Sequence, residues 1–300
     1  MRIGLFGGDT AGRSIDDVIA DAKRAEAEGF ASYGLPQIFA MDAMTVLAIV
    51  GREVPRIELS TGVVPTYSRH PVTMAQQALT VQAASGGRFL LGIGLSHQIV
   101  IEMMFGLSYE KPARHMREYL DALMPLLRDG MCSTSGETIS VQAGLGVEPR
   151  LTPQVVVAAL GPIMLRLAAE MTEGTVTWMT GPATLRDYTV PTITAAAEKA
   201  NRPAPRVIAS LPICVTNDEA GARERAAQTF MVYGTLPSYR AMLDREGAEG
   251  PADVALIGDE STVTKQVQEL ADIGVTDFVA SVYGSREEQT RTRAVLQSLT

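Results

Sequence analysis

Seven residues from Phe89 to Leu95 (Phe-Leu-Leu-Gly-Ile-Gly-Leu) follow a Gly86-Gly87 turn and carry no polar side chain. Alternation with a period of two would mark a strand with one wet face. Its absence marks a parallel strand covered on both sides, which is the arrangement of an α/β fold. Gly92 and Gly94 weaken the run as a strand and are expected where another backbone or a ligand approaches closely. Ser96, His97 and Gln98 come next, so a hydroxyl, an imidazole and an amide stand at the carboxyl end of a buried parallel strand, where α/β proteins place their chemistry. Equally, Ser96 could cap the following helix and His97 face solvent.

The rest of the chain repeats this unit. A strand from Arg2 to Phe6 ends in Gly7-Gly8-Asp9-Thr10, and Ser14 starts a helix with Asp16 and Asp17 in its first turn, where acids complement the helix dipole. Ile15, Val18, Ile19, Ala22 and Ala25 form its apolar side, and Gly29 stops it. The second strand, Ser32 to Leu35, ends in Pro36-Gln37, and Asp42 begins the next helix. A third strand spans Ile57 to Val64, and Pro71 suits the first position of the helix that runs to Gly86-Gly87. After the fourth strand, residues 99 to 154 read as an excursion with a helix from Ala113 to Arg128 and a strand-like Thr138 to Val141. Such an insertion shapes an active site or forms a solvated loop or subunit contact. Strands from Val155 to Leu160, Thr175 to Met179, Val207 to Val215 and Asp277 to Tyr283 follow. The helix after the sixth strand is expected to reach Asn201, residues 217 to 274 hold several helices, and Arg286 to Leu299 closes the chain.

Eight strands, each followed by helix, predict an α/β fold of one domain over residues 1–300: a single (β/α)8 TIM barrel with insertions after strands 4 and 7. A doubly wound sheet is the alternative, but Gly4-Leu5-Phe6-Gly7-Gly8 lacks the GxGxxG spacing of its first turn. With 46% hydrophobic residues, 20% charged and 27 glycines, the chain is neither disordered nor a coiled coil. A net charge of −8 repels phosphate backbones and anionic membranes, so neither nucleic acid nor membrane is an expected partner. No apolar run approaches the roughly 18 residues of a membrane span and no signal-peptide core follows Met1, so a cytoplasmic protein is expected. Cys132 and Cys214, with only three histidines (His70, His97, His115), form no metal-ligand spacing, and no metal is expected.

The strand ends gather a site poor in carboxylates and rich in glycine. Neither the paired acids of glycoside hydrolysis nor a Gly-x-Ser-x-Gly elbow is present. Such a mouth suits a flat, partly apolar small molecule whose phosphate is held by backbone N–H groups, above all at the helix start near Gly161. Each glycine could also serve a turn alone.

Thr61-Gly62-Val63-Val64-Pro65, the helix from His70-Pro71, Gly87-Arg88-Phe89 to Gly94, and Ala158-Ala159-Leu160-Gly161-Pro162 through Ala168 resemble the bacterial-luciferase-like superfamily, nearest to its branch of coenzyme F-420-dependent oxidoreductases. The resemblance implies a deazaflavin in the barrel mouth with hydride exchange at its C5. It also implies a non-prolyl cis peptide at Gly62–Val63 behind the ring and phosphate contacts at Gly161 and Pro162. The cofactor-binding set it implies is Gly7, Thr61, Gly62, Val63, Leu95, Ser96, Leu160, Gly161, Pro162, Thr177, Trp178 and Met179. Trp178 reads as a pocket wall or as simple core. His97 or water is expected to supply the proton, His97 being suited because an imidazole titrates near neutrality, and Gln37 is expected to orient substrate or ring. Related alcohol and sugar-phosphate dehydrogenases carry an acid and a histidine at the second strand end, where this chain has Pro36-Gln37, and often a glutamate where it has His97. The implied activity is therefore reduction of an activated C=C or C=N bond. FMN-dependent monooxygenation and non-catalytic flavin binding are the alternatives. Arg69, His70 and Arg166 could meet the acidic cofactor tail or be ordinary surface cations, and a homodimer is expected.

Overall fold

The structure is a computed structural model and describes residues 1–147 and 151–300; residues 148–150 of the 99–154 excursion lie outside the described residues. Eight parallel strands close into a barrel: β1 (Arg2–Phe6), β2 (Ser32–Leu35), β3 (Glu58–Thr61), β4 (Phe89–Gly94), β5 (Gln154–Ala158), β6 (Gly174–Trp178), β7 (Arg206–Ser210) and β8 (Asp277–Val282). Each pairs with its sequence neighbour, and β8 closes on β1 through Arg2↔Asp277 to Leu5↔Ala280. All six residues of β4 are buried, as the missing alternation requires. Leu90, Val156, Ile208 and Val279 pack as one layer, joined by Phe6 and Val176. The helices bury their apolar faces around the barrel, and Ser14 closes a capping box with Asp17 at the first of them.

Several boundaries differ from the sequence expectation for local reasons. The strand expected over Ile57 to Val64 breaks at Gly62–Val63, whose peptide is cis, and resumes as Val64–Pro65. That over Val207 to Val215 breaks at Leu211, where Pro212–Val215 leaves the β6 ladder and pairs instead with a short strand, Leu256–Gly258, that propensity did not show. The helix expected to run unbroken to Asn201 is three pieces, Pro182–Thr184, a π-turn Leu185–Thr189 and Val190–Lys199. Pro191 lacks the N–H that a continuous ladder needs there. Thr138 to Val141 belongs to an antiparallel hairpin of Met131–Ser135 and Ser140–Gly144. Its first strand was hidden by the polar run Ser133-Thr134-Ser135. Ile15, expected on the apolar side of its helix, is exposed. The insertions after β4 and β7 are both present, the second comprising helices Glu219–Thr229 and Pro237–Glu246 with short 3-10 turns between and after them. Among the described residues no helix is long and apolar enough to cross a membrane.

Candidate active site

The carboxyl end of the barrel is organised by the break after β3. The Thr61 hydroxyl accepts from the Gly92 N–H at 2.9 Å and donates to the Gly92 carbonyl at 2.8 Å, so it spans the gap that the break opens in the β3–β4 ladder. A Cβ on Gly92 would stand 2.1 Å from the Thr61 carbonyl oxygen, and one on Gly94 2.8 Å from a Val63 methyl and 3.2 Å from Ala158. Both glycines therefore admit the neighbouring segment 61–63; it is backbone and Val63, not a ligand, that approaches them.

The break leaves Gly62 bare over the ring of Phe6, with a built Cβ only 3.0 Å from it. Phe6 in turn stacks on Trp178 at the end of β6 (centroids 6.2 Å, interplanar angle 24°). Gly62, Phe6 and Trp178 make a flat apolar floor. The insertion after β7 walls it: Phe230 and Tyr233 meet Trp178 edge-on at 5.8 and 5.6 Å, Phe230 meets Tyr283 of the β8 end at 5.8 Å, and Tyr239 packs on Tyr233 at 5.3 Å. From the opposite side His97 reaches Tyr239 at 5.5 Å. The sequence reading missed Phe230, Tyr233 and Tyr239, although three aromatics within ten residues of an insertion were a usable signal.

His97 is partly buried, and its ring takes part in none of the hydrogen bonds among the described residues. Desolvation lowers its pKa below the ordinary imidazole value, so it is neutral at pH 7. Ser96, which does not cap a helix, and Met179 both have left-handed backbones (φ 60° and 54°), unusual for residues with a Cβ; they stand at the ends of β4 and β6, while Lys111 and Asn201 share this conformation elsewhere. Gln37 faces another way in part: its Oε1 accepts the Ala43 N–H at 2.8 Å and so caps the following helix, while its Nε2 keeps two donors.

Two helix starts at this end differ in their capping. Gly161 precedes helix Pro162–Met171 with no side-chain cap, and the space a Cβ would occupy there is open to 4 Å. The Leu165 N–H bonds to the Gly161 carbonyl, which leaves the Ile163 and Met164 N–H groups facing out. At Pro182 the corresponding donors are taken: Glu246 accepts from Ala183 at 2.9 Å and Thr184 at 2.6 Å, and its carboxyl fills the space beside Gly181. An anion would fit the first start and be excluded from the second.

The remaining expected cofactor residues divide by exposure. Leu95, Ser96, Leu160 and Pro162 are at least partly accessible. Thr61, Thr177 and Met179 are buried to 2% exposure or less, so none of them presents its side chain to a ligand in this structure. Gly7 donates to the Gly34 carbonyl at 2.8 Å, accepts from Arg13 at 2.6 Å, and sits where a Cβ would strike Tyr33, so its role here is packing. Arg69 is paired with Asp42, and His70 caps the helix that starts at Pro71.

A second polar cluster lies beside a cavity of about 490 Å³ bordered by Thr66, Tyr67, Arg69 and Lys111. Buried His115 bonds Thr66 at 3.0 Å and stacks on Tyr67 (3.9 Å, 4°), which stacks on Tyr109 (5.2 Å). Desolvation lowers the His115 pKa to about 4. The fold is undisturbed by this residue above about pH 6.5, where the unfolded imidazole is also neutral. It loses stability as pH falls from there to about 4, because the unfolded chain takes up the proton first. We expect a loss of about 2 kcal/mol over that interval, after allowance for solvent reaching the ring. Urea unfolding near pH 7 and about pH 4.5 should show His115→Gln, which keeps a partner for Thr66, losing less stability than the wild type. Equal slopes would place the acid sensitivity elsewhere.

The geometry thus defines an α/β barrel protein whose site is an aromatic-floored mouth beside one open helix start. Residues 2–277 match the model of the luciferase-like monooxygenase family, and the chain belongs to that family. It is 26% identical to a 5,10-methylenetetrahydromethanopterin reductase of Methanolobus tindarius over 298 residues, covering 89% of this chain and 91% of that protein. The fold superposes on a coenzyme F-420-dependent secondary alcohol dehydrogenase in complex with an F-420–acetone adduct (TM-score 0.84, 17% identity, 100% of this chain, 99% of the other). It also superposes on the coenzyme F-420-dependent tetrahydromethanopterin reductase of Methanopyrus kandleri (TM-score 0.81, 22% identity, 99% and 98%).

Proposed function

We propose that the protein is a coenzyme F-420-dependent oxidoreductase that reduces an activated C=C or C=N bond of a small organic substrate. The observation that carries this is the flat floor of Gly62, Phe6 and Trp178 at the same barrel end as the uncapped start at Gly161, which together suit a planar ring bearing a phosphate. Two of the relatives named above are named as reductases and one as a secondary alcohol dehydrogenase, and the two solved structures are named as F-420-dependent, which supports the cofactor and the hydride-transfer class.

The deazaflavin would supply the hydride. The chain's own residues do the rest. The floor supports one face of the ring, the Ile163 and Met164 N–H groups hold the phosphate, and the 230–239 aromatics exclude water from the mouth. His97 passes a proton to the reduced substrate. Its lowered pKa means that this transfer is fastest in mild acid. The Gln37 amide donates to the ligand while its oxygen stays fixed by Ala43. FMN is the second reading, favoured by the monooxygenase character of the family.

Reduced F-420 mixed with a panel of cyclic enones and imines tests the proposal. His97→Ala should lower kcat about a hundredfold with F-420 affinity unchanged. Wild-type kcat should fall as pH rises through a value below the usual imidazole range. A variant with undiminished kcat would remove His97 from the chemistry.

A further inference from the structure

The two segments that carry Gln37 and His97 also carry an exposed apolar ledge. Ile38 and Phe39 after β2 are 45% and 59% exposed, and Ile99, Met103, Met104 and Phe105 after β4 are 57%, 79%, 60% and 42% exposed. The rings of Phe39 and Phe105 meet at 6.2 Å, so the two loops present one surface. Isolated exposed apolar side chains need no explanation, but six of them on two adjoining loops at the mouth do. Behind Phe39 a cavity of about 510 Å³ runs between Ile38–Met41 and the loop Asp9–Arg13.

The charges there are unequal. Arg13 is spent within the protein, on the Gly7 carbonyl at 2.6 Å, the Asp17 carbonyl at 3.3 Å and the Asp21 carboxylate at 3.6 Å. Asp9 engages only the Ala11 N–H, at 3.1 Å, among the described residues. A ligand in this cavity therefore meets apolar walls and a carboxylate.

We propose that this ledge and cavity seat the body of the substrate, and that the substrate is an apolar molecule, uncharged or cationic, rather than an anion. Alkyl or aryl bulk, not polar recognition, then sets substrate choice. This rests on the mouth being the active site, as proposed above, and adds to it the chemical class of what enters. Flexible methionines at the ledge suit a range of shapes.

Calorimetric titration of 4-methyl-, 4-butyl- and 4-hexylcyclohex-2-enone, and of a carboxylate-ended analogue of the same length, into both cofactor-free and F-420-loaded protein tests this. Affinity should rise about threefold per methylene, and the carboxylate should bind at least about tenfold more weakly than its alkyl counterpart. Phe39→Ser with Phe105→Ser, both at exposed positions, should flatten the series and leave F-420 affinity unchanged. Because the series is also read without cofactor, failure to bind F-420 would not disturb it. A hexyl homologue that binds no more tightly than the methyl one would overturn the proposal, as would an undiminished slope in the double variant. Sedimentation showing a wild-type dimer that the double variant dissociates would also overturn it, since the face would then belong to a second copy of the chain.

Discussion

Arg206→Met is expected to cost about 3 kcal/mol or more of folding stability while leaving ligand binding at the far end of the barrel intact. Arg206 plugs the amino-terminal end. Its guanidinium meets Asp277 at 2.7 Å, Glu58 at 2.9 Å and Gln154 at 2.9 Å, and Arg2 reaches the same two carboxylates at 3.3 Å. Arg206 ties β7 to β3, β5 and β8, and Arg2 of β1 joins them through the shared carboxylates. Desolvation opposes the charge of Arg206, but the hydrogen bonds it donates to Glu58 and Asp277 outweigh that and hold its pKa above the ordinary arginine value. With Asp277 only 4% exposed, removing the cation leaves a carboxylate in a poor dielectric with half-exposed Arg2 as its remaining cation and the Thr276 hydroxyl as a neutral donor at 2.7 Å. Urea unfolding of Arg206→Met and of Arg206→Met with Asp277→Asn checks this: the second change should restore part of the loss. A single-variant loss below about 1 kcal/mol would mean that water replaces the plug at little cost.

Gly92→Ala is the second large effect, and it joins stability to the site. A methyl group 2.1 Å from the Thr61 carbonyl cannot be relieved by a side-chain rotation, because the obstacle is backbone. The segment 61–63 must move, breaking both hydrogen bonds of the Thr61 hydroxyl and shifting Gly62 off Phe6. A stability loss of about 3 kcal/mol and a tenfold or greater loss of F-420 affinity are expected. Gly161→Ala, where the space is open, should leave stability unchanged within about 0.5 kcal/mol. If thermal unfolding and cofactor titration found Gly92→Ala as stable as the wild type, the close approach at the break would be refuted.

The barrel was legible because buried parallel strands write themselves as unbroken apolar runs between glycine stops, as Phe89 to Gly94 does. Helix starts at Ser14, Asp42 and Pro71 were legible because capping is local chemistry. Gly62–Val63 was found as a special bond through family resemblance, since nothing in its own residues separates it from a continuing strand. What stayed hidden was long-range. Glu246 caps Ala183 and Thr184 from more than sixty residues away, and the Phe230–Tyr233–Tyr239 wall exists only once the insertion after β7 folds across the mouth. Gly92 and Gly94 announced a close approach without saying by what. Gln37 read as orienting substrate or ring, and its amide oxygen serves as a helix cap, accepting the Ala43 N–H.

The central claim, that the mouth holds F-420 with its phosphate at the Gly161 helix start, is tested most directly by titrating F-420 and FMN side by side into the wild type and Gly161→Asp. F-420 should bind more tightly than FMN, and its affinity should fall at least about tenfold when a carboxylate stands at position 161 with the fold's stability unchanged. Tight FMN binding with weak F-420 binding, or F-420 affinity indifferent to Gly161→Asp, would contradict it.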